Sequence, residues 1–119
     1  GRKPADGQIL WHQTAQQVHN LVRAVAPPYP GAFTFLDDKK IIIDKVSFCE
    51  MGFNNELPNG TILQVKPFLV VKTSNGAVKI DLIRNNHYQA DYDKAYKKYY
   101  SLEKGISLYQ GIYNNINSI

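Results

Sequence analysis

A chain of 119 residues is long enough for one domain with a genuine core, and its 44% hydrophobic and 20% charged residues suit a soluble globular protein. It has no apolar run near the roughly 18 residues that span a bilayer and no signal-peptide pattern in GRKPADG. A single cysteine, Cys49, excludes an internal disulfide and sets no metal-ligand pattern, so a reducing, cytoplasmic setting is expected.

The net charge of +4 and the pI of about 9.2 suit a polyanion. The basic residues are dispersed, though, with Arg2-Lys3, Lys39-Lys40 and Lys94 to Lys104 as the densest groups. They are read as solvated faces rather than a phosphate track.

Residues 1–13 read as an extended lead-in, with Pro4 and the Asp6-Gly7 turn signal ahead of the apolar anchor Ile9, Leu10, Trp11. Trp11 is expected in the core with its indole N–H satisfied. A chain that starts in this way reads as cut from something longer. Thr14-x-x-Gln17 is a capping-box pattern, predicting a helix from there to about Ala26. Val18, Leu21, Val22 and Val25 form its apolar stripe, with His19 and Arg23 on one flank. Pro27-Pro28 stops the helix. Tyr29-Pro30, a candidate cis bond, leads to Gly31, which permits a close or left-handed turn.

From Ala32 the period changes. Strands are predicted over 32–36, 40–48, 61–65, 68–73 and 77–84, with Asp37-Asp38 and Ser74-Asn75-Gly76 as turns. In the last strand Val78, Ile80 and Leu82 are expected on the buried face. The strand aromatics Phe33, Phe35, Phe48 and Phe68 are read as core. The fold class is therefore mainly β with helices: a small OB-like, partly open barrel of about five strands after one amphipathic helix. Beyond His87 a helical tail is expected. Tyr88, Tyr92, Tyr96 and Tyr100 would form one stripe, packing on the barrel or on a second copy, and Gly105 would end the helix. Ile106, Leu108, Ile112 and Ile116 suggest a further apolar segment.

No catalytic or metal-binding set emerges. His12 and His87 read as surface or packing residues, and Cys49 as a small buried hydrophobe. There is no phosphate loop and no nucleophile elbow. On its residues alone the chain is a binding or support module.

GRKPADGQILW followed by TAQQVHNLVRAVAPPYPGAF resembles the C-terminal domain of the formyltetrahydrofolate-dependent formyltransferases. The matching motifs are Arg2 to Trp11, Arg23 to Pro27 and Pro30 to Phe33. LPNGTIL and SNGAVKI extend the likeness to about residue 84. The V-H-N-L-V-R-A-V run is more similar to the branch formylating UDP-4-amino-4-deoxy-L-arabinose than to the methionyl-tRNA branch.

The resemblance implies an interdomain linker over 1–13, an OB-like domain over 14–86 and a tail over 87–119. It implies a Rossmann-like catalytic lobe upstream, carrying an Asn, a His and an Asp and binding formyltetrahydrofolate, so no catalytic residue falls in this chain. The implied partners are that lobe, an amino-sugar nucleotide and a second copy in a homodimer; tRNA is the partner in the alternative, and no membrane is implied. A free-standing OB-like binding module stays open. Arg2, Asp6, Trp11, His19, Arg23, Pro30 and Gly31 are expected to be interdomain or structural residues. Arg23 is expected to tie the corner carbonyls around Pro27 to Pro30 to Asp6.

Overall fold

The computed structural model describes residues 7–53, 55–84 and 89–102, with the backbone alone for residue 95 and for 97–102. The elements are α1 (Ala15–Ala24), β1 (Ala32–Leu36), β2 (Lys39–Cys49), β3 (Ile62–Gln64), β4 (Leu69–Lys72), β5 (Ala77–Ile83) and α2 (Gln89–Leu102). The five strands form one antiparallel sheet in the order β1-β2-β5-β4-β3. It curls as a half-barrel, with β1 and β3 at its edges. The expected OB-like, partly open barrel is thus present.

α1 begins as its sequence predicts. Thr14 accepts from the Gln17 amide, and the Gln17 side chain accepts from the Thr14 amide at 2.9 Å, which completes the capping box. The helix ends at Ala24, two residues before the expected point. Val18, Val22 and Val25 are buried and Leu21 packs at their margin, filling the concave face of the sheet together with Ile9, Trp11, Ile41, Ile43, Val46, Val78 and Ile80.

A second apolar cluster lies on the other face. Leu63, Val70 and Ala77 are covered there by Met51, Phe53 and Leu57 from the connection between β2 and β3. Both faces of β4 are therefore covered, and all four of its residues are buried. Lys72 is one of them. Its ammonium donates to Asn59 Oδ1 at 2.7 Å and to the Thr73 carbonyl at 3.2 Å, and lies 5.4 Å from the centre of the Phe53 ring.

Three expectations are corrected. Leu82 is 55% exposed. The β2–β5 register shifts on either side of Lys45↔Leu82, so the pleat loses phase beyond Ile80 and Leu82 turns outward beside Lys45. Phe33, Phe35 and Phe68 are only half-buried and Phe48 is exposed. In β1 the inward positions belong to Ala32, Thr34 and Leu36, which leaves both phenylalanines on the outer face, edge to face at 5.8 Å, with the Lys40 ammonium 4.3 Å from the centre of the Phe33 ring. Cys49 is half-buried at the margin of the second cluster. The cis peptides among the described residues are Pro27–Pro28 and Lys66–Pro67, so Tyr29–Pro30 is trans.

α2 packs across β3. Tyr92 is buried in the main core and Tyr96 packs against it, two members of the predicted stripe. Asp91 meets Lys39 at 3.4 Å, and that hydrogen-bonded carboxylate raises the lysine's pKa. The placements of His87 and Tyr88, the side chain of Tyr100, the Gly105 stop and the segment from Ile106 to Ile116 lie outside the described residues.

Candidate functional site: the proline corner

The lead-in, the end of α1 and the start of the sheet converge at Pro27–Gly31. The Gly31 amide donates to the Val25 carbonyl at 2.9 Å, and the Tyr29 amide to the Ala26 carbonyl at 3.0 Å. Gly31 has φ +95°, and a Cβ there would lie 2.7 Å from Ile42 Cγ2. Only a residue without a side chain fits that backbone and that space. Gly7 is pressed on the same point, since a Cβ on it would lie 2.9 Å from the Gly31 carbonyl oxygen. The lead-in then runs parallel to β1, with Gln8 bridged to Phe33 and the Ile9 amide donating to the Phe33 carbonyl at 2.8 Å. Two glycines and one backbone bond thus fix where the preceding chain reaches the barrel.

Arg84, directly after β5, holds the corner from 54 residues further along the chain. Its backbone amide donates to the Ile42 carbonyl at 2.9 Å. Its Nε donates to Asp44 Oδ2 at 2.9 Å and its Nη2 to Asp44 Oδ1 at 2.7 Å. The same fork reaches the Pro30 carbonyl from Nη1 at 2.9 Å and the Tyr29 carbonyl from Nη2 at 3.3 Å. Asp44 lies in the irregular part of the β2–β5 register, and its carboxylate is 6% exposed. Hydrogen bonding to that carboxylate raises the guanidinium pKa above its ordinary value.

The sequence assigned the bonds to the corner carbonyls to Arg23, and that part is corrected, while the expected tie of Arg23 to Asp6 lies outside the described residues. Arg23 is exposed on α1 and makes no hydrogen bond to Pro27–Pro30. The reason is topological, because the β5 end comes back beside the corner with its own arginine. Arg2 and Asp6 lie outside the described residues. Trp11 is fully buried and donates its indole N–H to Thr34 Oγ1 at 2.9 Å. His19 is half-buried; its ring stacks on Phe48 at 4.8 Å, and its Nδ1 is buried without a hydrogen bond among the described residues. The structure therefore brings Pro30 and Gly31 together, seats Trp11 beneath β1, and leaves His19 and Arg23 on the flank of α1.

Sequence reasoning missed Arg84, Asp44 and Thr34. Arg84 follows β5 directly, and nothing local marks its target 54 residues earlier. The corner holds backbone in place and has no pair of groups arranged to move a proton. Among the described residues no three His, Cys, Asp or Glu side chains are grouped to hold a metal, and no helix is long and apolar enough to cross a membrane.

The family described as formyl transferase, C-terminal domain, matches residues 2–96. The chain is also similar to the bifunctional polymyxin resistance protein ArnA of Wigglesworthia glossinidia brevipalpis, at 45% identity over 69 residues. That match covers 58% of this chain and 10% of the relative, so the chain spans only a small part of the relative's length.

Proposed function

The chain belongs to the formyl transferase C-terminal domain family, and from that we propose that it is the supporting domain of a formyltetrahydrofolate-dependent N-formyltransferase acting on an amino-sugar nucleotide. The observation that carries this is the seating of Gly7 against Gly31. A chain arriving there is held by the Ile9–Phe33 bond and by a corner that Arg84 makes rigid, which suits a domain that sets the angle of a catalytic lobe preceding it. The likeness to the polymyxin resistance protein supports the sugar-nucleotide branch. Arg2, Asp6, His19 and Arg23 are proposed to face that lobe.

The described residues do not fit the formyl donor. The hollows against α2, about 200 Å³ and 290 Å³, are open and lined by Val65, Leu82, Tyr92 and Tyr96, with the carboxylates Asp81 and Asp93 beside Gln89 and Lys66 as their polar side chains. Binding of the donor and the attack of the acceptor amine on its formyl carbon are accordingly assigned to the other lobe.

The test is formyl transfer to UDP-4-amino-4-deoxy-L-arabinose. The chain alone should give none, and the polypeptide extended upstream of Gly1 should give it. Turnover by the chain alone, or an upstream sequence with no Asn, His and Asp set, overturns the proposal. Tight tRNA binding that survives physiological salt would instead favour the tRNA branch, since dispersed lysines alone lose phosphate contacts as salt rises.

A further inference from the structure

The chain holds two Asn-Gly pairs, Asn59-Gly60 and Asn75-Gly76, and the fold treats them differently. Asn-Gly is the dipeptide most prone to spontaneous loss of the side-chain amide, because glycine leaves the following backbone nitrogen unhindered. Attack by that nitrogen needs its amide free of a hydrogen bond and not enclosed by the fold.

At Asn59-Gly60 that requirement fails. The Gly60 amide donates to the Lys72 carbonyl at 2.7 Å, Gly60 is buried, and φ is +88°. Asn59 Oδ1 is gripped by the buried Lys72 ammonium. At Asn75-Gly76 the asparagine is exposed, and the Gly76 amide makes no hydrogen bond among the described residues. A Cβ on Gly76 would meet nothing within 4 Å, so the glycine stands in open space.

Asn75 also has a structural task. Its Oδ1 accepts from the Thr73 hydroxyl at 3.5 Å and from the Ala15 amide at 3.0 Å, the latter satisfying one of the unpaired donors at the start of α1. Next to it the Ser74 amide donates to the Gln13 carbonyl at 3.1 Å. The β4–β5 turn therefore clasps the N-terminus of α1, the helix whose other end forms the proline corner.

We propose that Asn75 is a site of spontaneous modification in the folded protein, converting to aspartate and isoaspartate, and that the isoaspartate form releases the clasp on α1. The Gly76 nitrogen attacks Asn75 Cγ. A new C–N bond closes a succinimide ring, the Cγ–Nδ2 bond breaks, and the proton from Gly76 leaves with Nδ2 as ammonia. Water then opens the ring. Attack at Cγ gives aspartate with the normal main chain, and attack at the main-chain carbonyl carbon gives isoaspartate. The aspartate keeps an acceptor opposite Ala15, where α1 has no acidic residue in its first turn and the helix dipole favours negative charge. The isoaspartate puts an extra carbon into the main chain and carries its carboxylate away from that acceptor position.

The experiment ages the folded chain in mildly alkaline buffer and follows the two tryptic peptides holding Asn59 and Asn75 by mass spectrometry, with a urea-unfolded sample alongside. The peptide of residues 73–79 should gain the acid form in the folded sample, and the Asn59 peptide should gain it only when unfolded. Gly76→Ala, which the open space tolerates, should suppress conversion at Asn75 without changing the melting temperature of fresh protein. Aged wild type should melt lower than fresh, whereas fresh Asn75→Asp should not. Conversion of Asn59 as fast as Asn75 in the folded chain, or Asn75 converting only after unfolding, overturns the assignment. Conversion with no loss of melting temperature overturns its effect on α1.

Discussion

Trp11 donates its indole N–H to the hydroxyl of Thr34 at 2.9 Å, and neither side chain is reached by solvent. The bond ties the lead-in to β1 through the interior, where the indole has no water as an alternative partner. Thr34→Val keeps the shape and leaves the N–H unsatisfied, which should cost about 1–3 kcal/mol. Trp11→Phe should cost at least as much, because it also removes volume from the core. The double variant should cost less than the sum, since each single change strands the other partner. Chemical denaturation of the four proteins measures this; strict additivity would show that the bond contributes nothing beyond packing.

Arg84 and Asp44 should behave as one unit with the corner carbonyls. Arg84→Ala removes four hydrogen bonds and leaves a carboxylate only 6% exposed without its partner. Because the arginine itself is about a third exposed, the expected loss is about 1–3 kcal/mol rather than that of a fully buried pair. Arg84→Lys should recover little, because an ammonium cannot span Asp44 and Pro30 together. Arg23→Ala should fall within about 0.5 kcal/mol of wild type, as a surface change does. Urea midpoints compare the three variants, and equal losses for Arg23 and Arg84 would contradict this division of roles.

Much of this architecture was open to reading residue by residue. The α1 start was legible because Thr14 and Gln17 satisfy each other locally. The core side of that helix followed from spacing, and Gly31 from the need for a turn after two prolines. Legibility stopped where partners are distant. The arginine that holds Tyr29 and Pro30 comes from the end of β5, and an arginine already near the corner, Arg23, matched the same chemistry. Leu82 was misplaced for a related reason, because strand alternation holds only while the ladder keeps register, and the shifts beside it depend on both strands.

Lys72 should make stability depend on pH. Burial lowers its pKa below the ordinary 10.5. Between the folded pKa and 10.5 the unfolded chain holds more protons, so stability should rise with pH across that window and be flat below it. Lys39 acts in the opposite sense and elsewhere. Its pKa is raised, so its contribution is complete below 10.5 and is lost only above it. Lys72→Met should therefore flatten the rise below 10.5, read as the difference between variant and wild type so that tyrosine titration cancels. Parallel curves for the two proteins would mean that Lys72 titrates no differently folded than unfolded.

Gly31→Ala tests the corner at its tightest point. The backbone sits at φ +95°, which costs an L-residue about 1–3 kcal/mol. The new methyl would also lie 2.7 Å from Ile42 Cγ2, 2.9 Å from Arg84 Nη2 and 3.2 Å from Asp44 Oδ1. Arg84 cannot swing aside cheaply, because the same nitrogen is bonded to Asp44 and to the Tyr29 carbonyl. The substitution should therefore exceed the strain term alone and weaken the arginine fork with it. Once Arg84 is alanine, the methyl meets one obstacle fewer, so Gly31→Ala should cost less in the Arg84→Ala background than in wild type. Gly76→Ala, at a glycine with open space and no positive φ, is the matched control and should leave stability within about 0.5 kcal/mol. Equal costs at Gly31 in the two backgrounds would show that the glycine serves only the turn and that the arginine holds the corner independently of it.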